Sequence, residues 1–513
     1  MNLLNHVIRG VYRDSVQLME VTERIKRIKG VADAAVVMGT QANKESLKPL
    51  GLLIEEGERA GPNDIIIALK TTASPEEVLA EAKRILFEVR APAARYLSLE
   101  DALRANPDIT YASISIPGKY VEEVAFKLLD KGVHLFVFSD HVPVETEIAL
   151  KKRAAERNLL VMGPEAGTAI VSGVGFGFAN NVSRGNVGVV ASAGSGIQEF
   201  VTLLDHYGIG VSHAIGVGAR DLTKQVGGIM TRKALQALDD DDQTKIITLI
   251  AKQSDIEIVK EILETEKISK PLMLSLLGHP DQIMDYPQAP TLHGLAVRVA
   301  SAVSAQKREE VLKTLEKEVE KLKGLVGDGG GYPRGFYSGG TLATETAYIW
   351  TRAGLTVYTN LNTPWTRKIA NPYTSMQATI IDYGSEEFTE GRPHPIIDPT
   401  LRNRRVASEL SQSETNSVVM DLIIGYGAPD NIVEKTFEQI GEAIVKNRDK
   451  KTVLRLVGTR KDSQWEQTKL LEQYGVVSTH SNALAAAFTA ACSLGESFVL
   501  EKLVDEHIVG GLA

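Results

Sequence analysis

Along most of the chain, short apolar runs alternate with longer stretches in which apolar residues recur every three or four positions. The first pattern predicts buried strands and the second amphipathic helices. Strands are predicted over 111–116, 134–139 and 159–162, with helices over 121–131 and 145–158 between them. The same alternation returns with strands over 187–191, 211–216, 246–251 and 272–277, and again over 417–424, 452–457 and 475–478. Strands alternating with helices in this way predict parallel, doubly wound sheets, an α/β class protein with several such domains.

Breaks in the pattern place four domains. Residues 1–92 form a small N-terminal α/β domain, with a helix over 15–28, strands over 34–38 and 64–69, and a helix start at Ser74-Pro75. The polar stretch 39–45 reads as a solvated connection, and 90–95 as a linker. Residues 96–182 form a compact doubly wound domain, 185–320 a second α/β domain and 330–513 a third, which follows a glycine-rich boundary at 324–336. A helix is predicted over 233–238, and the acidic run 239–242 reads as a solvated helix end. The pattern over 291–323 predicts one charged connecting helix. The segment 363–402, broken by Pro364, Pro372, Pro393, Pro395 and Pro399, reads as long and irregular, the kind of segment that often carries function.

Two small-residue turns carry the candidate chemistry. In the first, a buried run ends in Ser192-Ala193-Gly194-Ser195-Gly196 and a helix begins. In the second, Ser338-Gly339-Gly340-Thr341 also opens a helix. Free N–H groups and the positive end of the helix dipole favour an anion there, phosphate above all, and small side chains let it approach. Ser192, Gly194, Ser195, Gly196, Ser338, Gly339, Gly340 and Thr341 are therefore candidate phosphate-binding residues. Neither turn is a GxGxxG or GxxxxGK[ST] motif, so neither names a nucleotide. In the doubly wound domain 96–182, loops at the strand carboxyl ends hold Pro117, Gly118, Lys119, Ser139, Asp140, His141, Gly163 and Pro164, a candidate cofactor site. Arg220 and Arg402 could grip a carboxylate or phosphate bidentately, or serve in structural ion pairs.

Composition narrows the class. A net charge of −8 with no basic stripe argues against nucleic acid as a partner. No apolar run reaches 18 residues, and the N-terminus lacks the apolar core of a signal peptide, so a cytoplasmic protein without a membrane span is expected. The single cysteine, Cys492, excludes an internal disulfide and a cysteine-based metal cluster, and no metal site is expected. Its alanine-rich helical surroundings read as a buried structural thiol.

The chain resembles the FdrA family, a branch of the succinyl-CoA synthetase-like proteins. The resemblance rests on motifs in order along nearly the whole length, among them AAVVMGTQANKE (34–45), ISIPGKY (114–120), LLVMGPEAGTAI (159–170), GVVASAGSGIQE (188–199), YSGGTL (337–342) and IDPTLRN (397–403). It implies a CoA-binding Rossmann domain at 96–182 and a flavodoxin-like domain at 185–320 similar to the ligase domain of the synthetase α chain. It implies a second flavodoxin-like domain at 330–513, similar to the C-terminal domain of the synthetase β chain, but the chain departs from the synthetase in that residues 1–92 are too short for an ATP-grasp domain, and none is expected. It also implies that the two turns face one active site and hold phosphate. The synthetase phosphorylates a histidine in a loop after the strand at 272–277. Here that loop reads Gly278-His279-Pro280-Asp281, leaving His279 as a displaced nucleophile candidate, while His293 reads as structural.

Some members of this family are linked to allantoin breakdown as part of a three-protein oxamate carbamoyltransferase, which converts oxalurate and phosphate to oxamate and carbamoyl phosphate. The resemblance therefore implies a carbamoyltransferase subunit that uses phosphate or carbamoyl phosphate, with CoA as an optional ligand. Other subunits of a hetero-oligomeric complex, or a second copy in a homodimer, are the expected partners. The alternatives are an acyl-CoA synthetase with a separate nucleotide-binding subunit, and a non-catalytic scaffold subunit.

Overall fold

The computed structural model describes residues 2–11, 13, 15–26, 28–87, 96–279 and 283–510. The linker expected at 90–95, and Pro280 and Asp281 of the loop after 272–277, lie outside these residues. The chain divides into two compact units, one of residues 1–105 with 388–393, the other of 106–387 with 394–513.

The first unit is built on an antiparallel sheet with Ile65–Thr71 between Asn2–Ile8 and Val31–Met38. The run Ile65-Ile66-Ile67-Ala68-Leu69 is fully buried because it is the middle strand. Alternation along it serves two cores. Ile65, Ile67 and Leu69 pack with Leu18 and Ile25 of the helix Ser15–Lys26 and with Ala82 and Ile85 of the helix Pro75–Phe87. Ile66 and Ala68 face Leu47, Leu52 and Ala60 on the other side. The strand Asn2–Ile8 was not expected from the sequence. Residues 39–45, expected as a connection, instead enter the helix Gln41–Leu47, capped by the Thr40 hydroxyl on Asn43 N–H.

The second unit holds three sheets. The smallest is parallel, Tyr111–Ile114, His134–Val137 and Val161–Met162. The next runs in the order Leu272–Leu276, Ile246–Ala251, Arg184–Ala191, Val211–Gly216, Thr168–Val171 and Val174–Gly177. Its first four strands are parallel, and the hairpin 168–177 adds two antiparallel strands. That hairpin falls within the 96–182 stretch expected to form the Rossmann-type domain, yet it pairs with Val211–Gly216. The third sheet is parallel throughout, with Tyr332–Tyr337 between Ala378–Asp382 and Thr415–Ile423.

In both larger sheets the chain reverses its direction of strand addition at one strand, Arg184–Ala191 in the first and Tyr332–Tyr337 in the second. Clefts open at the carboxyl ends of strands at such reversal points. The two small-residue turns follow these two strands. A single apolar core runs through both sheets, from Val189 and Phe200 through Leu295 and Trp350 to Phe488 and Leu500.

Four expectations need correction. The pattern over 291–323 is two helices, Leu292–Val303 and Ala305–Lys323, because Ser304 adopts an extended conformation and caps the second through Lys307 N–H. The helix expected over 233–238 spans Ile229–Asp240, which absorbs the first two acidic residues. Asp239 accepts from the N–H groups of Ser269 and Lys270, and Asp241 from the backbone N–H and the hydroxyl of Thr244, so the acidic run tethers loops. The segment 363–402 is not irregular throughout, since it contains the wholly buried strand Ala378–Asp382.

Candidate functional site

The helices Gly194–His206 and Gly340–Arg352 start without a capping side chain, their N-cap residues being Ala193 and Gly339. Other helices are capped by a side chain, from Thr40, Asp255, Thr291, Ser304 and Ser481, while those beginning at Val121, Val144, Ile229, Thr400, Ile432 and Ser497 also lack one. The first N–H groups of a helix have no intrahelical acceptor. These two helices therefore point uncapped donors outward.

Both starts line one cavity of about 220 Å³. Ser192, Ala193, Gly194 and Ser195 form one wall and Gly340 and Thr341 another, with Glu165–Thr168, Gly216, Gly218, Lys252 and Gly384 completing it. The volume is below the ~300–1,000 Å³ of drug-sized ligand sites, so the cavity suits a small anion. The helix starts touch. Thr341 N–H donates to Ser195 Oγ at 3.4 Å, and a Cβ on Gly196 would lie 3.0 Å from Thr341 Cγ2.

Two further groups address the cavity. The Ser192 hydroxyl is buried without a hydrogen-bond partner among the described residues. Lys252 is the first residue beyond the strand Ile246–Ala251, and among the described residues its ammonium makes no hydrogen bond or ion pair. Beside it stands Asp382, the last residue of Ala378–Asp382. Its carboxylate accepts Gly384 N–H at 2.9 Å. Burial raises its pKa to about 6, opposed by the charge of Lys252. Neither Lys252 nor Asp382 stands out in the sequence, although each is a charged residue closing an apolar run.

The eight candidate phosphate residues separate into two groups. Ser192, Gly194, Ser195, Gly340 and Thr341 line the cavity, whereas Gly196, Ser338 and Gly339 do not. The reason in the second turn is Asp421, whose carboxylate accepts Ser338 N–H at 2.7 Å and Gly339 N–H at 2.8 Å. An internal carboxylate thus takes donors expected to hold phosphate. Gly196 serves by its lack of a side chain, in the space next to Thr341.

Arg402, expected to grip a ligand, is fully buried and committed. It donates to Ser338 Oγ at 2.6 Å, to the Asp421 carbonyl at 2.7 Å and to Asp421 Oδ1 at 3.0 Å. It positions the second turn through Asp421. Arg220 pairs with buried Glu147 at 2.8 Å and donates to the Val142 carbonyl at 2.8 Å, and it does not line the cavity. His279 also lies outside the lining. Its Nε2 is 3.1 Å from the Ser254 carbonyl oxygen, which can only accept, so that nitrogen carries the proton and cannot attack phosphorus. His293 is buried between the Tyr207 hydroxyl at 2.6 Å and Ser481 Oγ at 2.8 Å, and burial lowers its pKa to about 3. Cys492 is a buried free thiol whose pKa burial raises to about 12.

The residues of the candidate cofactor site converge at the carboxyl ends of the three-stranded sheet. A Cβ on Gly118 would lie 2.3 Å from the Asp140 carbonyl oxygen, so the loop of Pro117, Gly118 and Lys119 lies against that of Asp140 and His141. Ser139 Oγ accepts Ile116 N–H at 3.0 Å, and its carbonyl accepts Glu165 N–H at 3.2 Å, just after Gly163 and Pro164. His141 is exposed, with Nε2 2.8 Å from Glu386 Oε1. The Asp140 carboxylate, and then Glu386, raise its pKa. The chain then passes from Pro164 into the cavity wall at Glu165, whose pKa burial raises.

No helix among the described residues is long and apolar enough to cross a membrane, and none of their His, Cys, Asp and Glu side chains group to hold a metal ion.

Comparison with known proteins gives these features a family. Residues 1–100 match the AllF heavy metal-associated domain, although this stretch contains no cysteine, and residues 336–492 match the CoA-ligase family. Over 500 residues the chain is 34% identical to YahF of Escherichia coli K12, covering 93% of this chain and 97% of YahF. It is 24% identical over 186 residues to the alpha subunit of an ADP-forming succinate–CoA ligase from Methanothermobacter thermautotrophicus, spanning 36% of this chain and 62% of that subunit. Among solved structures it is similar to the apo form of the dinucleotide-forming acetyl-coenzyme A synthetase 1 of Ca. Korarchaeum cryptofilum, at 15% identity and a TM-score of 0.33 over 83% of this chain and 90% of that one. With YahF aligned over nearly its whole length and the CoA-ligase match on the second helix start, the chain belongs to the FdrA-type family of succinyl-CoA synthetase-like proteins.

Proposed function

We propose that the chain is the phosphate-binding subunit of a carbamoyltransferase that takes oxalurate, or a related ureido acid, and phosphate to oxamate and carbamoyl phosphate. The observation that carries this reading is the meeting of two uncapped helix starts, the unpartnered Ser192 hydroxyl and the unpaired Lys252 ammonium in one cavity of about 220 Å³. Such a set of donors holds an oxyanion without a nucleotide. No histidine lines the cavity among the described residues, so a phosphohistidine step has no carrier there.

The step balances without ATP, CoA or a redox partner. A hydrogen phosphate oxygen attacks the carbamoyl carbon. The new C–O bond forms, the C–N bond to the oxamate nitrogen breaks, and that nitrogen takes the proton that the phosphate carried. Lys252 offsets the phosphate charge. The N–H groups at Gly194, Ser195 and Gly340 steady charge on the attacked carbonyl oxygen, a role in which preorganised donors are most effective. Asp382, with its pKa raised to about 6, is suited to relaying the proton.

The second reading is an acyl-CoA synthetase. It is favoured by the similarity to a succinate–CoA ligase alpha subunit and by the loops of Gly118, Ser139 and Gly163 that lead to the cavity wall. Phosphorolysis of oxalurate, assayed with and without co-purifying subunits, separates the two. Carbamoyl phosphate formed without CoA or nucleotide is the expected result. Thioester formation dependent on both CoA and ATP would overturn the proposal.

A further inference from the structure

A second cavity, of about 450 Å³, opens at the opposite end of the seven-stranded parallel sheet, where Arg334 lies near the start of the strand Tyr332–Tyr337. Arg334 and Arg405 line it together with Glu409, Ser375 and Ser408. The two guanidinium groups share one buried carboxylate. Arg334 Nε donates to Glu409 Oε2 at 3.0 Å, and Arg405 Nη2 pairs with Glu409 Oε1 at 2.7 Å. Glu409 is saturated, because Ser375 Oγ also donates to Oε1 at 2.7 Å and the Thr415 hydroxyl to Oε2 at 3.3 Å.

One positive charge is therefore left over among these three side chains. It comes with idle donors, since Arg334 Nη1 and Arg405 Nε are buried without a hydrogen-bond partner among the described residues. The Arg334 side chain is only 2% exposed. A guanidinium N–H shielded from water and unpaired is costly, and the acceptor that best matches it is an oxyanion. Glu414, the other acidic residue lining the cavity, is exposed and so offsets little of the buried charge.

We infer that this cavity is a second binding site for a small oxyanion, a carboxylate or a phosphate, held by Arg334 Nη1 and Arg405 Nε. It is separate from the helix-start cavity and does not rest on the reaction proposed for that cavity. The helix Thr400–Leu410 serves both places, with Arg402 near its start holding Ser338 and Asp421, and Arg405 and Glu409 further along at the second cavity.

Isothermal titration of the full chain with inorganic phosphate, and separately with oxamate, tests the inference. Two sites are expected in the wild-type chain for at least one of the two anions. Arg405→Met removes one and leaves Glu409 paired with Arg334. Gly196→Val removes the other, and the double variant binds none. Ser408→Phe, which keeps every ion pair and fills the cavity from its exposed side, gives the same loss as Arg405→Met and covers the case in which that variant does not fold. Phosphate and oxamate compete for the site if both fit, and binding of only one identifies the source of the oxyanion. A single wild-type site that Gly196→Val removes and both second-cavity variants leave would overturn this inference and spare the helix-start site. A single site with the reverse behaviour would uphold it and count against the helix-start site. Absence of any site for both anions would show that the cavity holds only water.

Discussion

The backbone N–H of Thr341 lies 3.4 Å from the hydroxyl oxygen of Ser195, so the first turn of one helix leans on the first turn of another 146 residues away in the chain. Gly196 keeps this junction tight, because its missing Cβ would meet Thr341 Cγ2 at 3.0 Å and Ala193 Cβ at 3.2 Å. Gly196→Val is expected to push the two starts apart and abolish phosphate binding by titration. The circular dichroism spectrum should stay close to that of the wild type, since the substitution lies at a helix start and the nearest core atom to its Cβ is Ile250 Cγ2, 3.5 Å away. Phosphate binding at wild-type affinity in a folded Gly196→Val chain would reduce the first turn to a mere connection.

Lys252 carries an ammonium group with no ion-pair partner among the described residues, so its removal should change binding more than stability. Lys252→Met is expected to weaken phosphate binding by about tenfold or more, the scale of one hydrogen bond to a charged group. The affinity should also respond less to added salt, because one screened attraction is gone. Thermal unfolding with and without phosphate checks both points.

Asp382 sets a pH dependence. Its pKa is raised from 3.8 to about 6 by burial. Between these values the folded chain keeps a proton that the unfolded chain has released. Its contribution to stability is therefore fully present below about 4 and is lost as pH rises through 6. Asp382→Asn should flatten that slope in chemical denaturation. Above 6 the carboxylate is charged and repels an anion in the neighbouring cavity. Sulfate binding is expected to fall as pH rises through 6 in the wild-type chain and to stay level in Asp382→Asn.

Arg402 is a ligand candidate in the sequence and a buried structural ion in the fold. Arg402→Met leaves Asp421 charged and without its guanidinium partner, a loss of about 3–5 kcal/mol by the measure of other buried pairs. Denaturant unfolding should register this, and the variant that remains folded should still bind phosphate at Gly194 and Ser195. Loss of binding without loss of stability would return Arg402 to the ligand shell.

What is legible in the sequence follows from the range of the interactions involved. The strands of the two larger sheets and the small-residue turns after them are local patterns, and they are readable. Ala378–Asp382 is hidden because Pro364, Pro372, Pro393 and Pro395 around it suggest irregular chain, while its burial comes from neighbours on both sides in the sheet. Lys252, Asp382 and Asp421 escape notice for a related reason. Each sits at or near the carboxyl end of an apolar strand, and only the sheet order brings them to the helix starts. Arg220 and Arg402 carry the right chemistry for an anion, but their partners Glu147 and Asp421 lie 73 and 19 positions away and cannot be paired from sequence.

Both helix starts belong to one polypeptide, joined through the helices Leu292–Val303 and Ala305–Lys323. A cavity assembled from two separate chains is lost on dilution below their dissociation constant. Here each half meets the other at an effective concentration on the order of millimolar, set by the tether rather than by expression level. Buried Glu199 and Arg455, paired at 2.6 Å between the halves, need supply only register. The anion cavity should therefore persist at nanomolar protein, and its occupancy should follow ligand concentration alone.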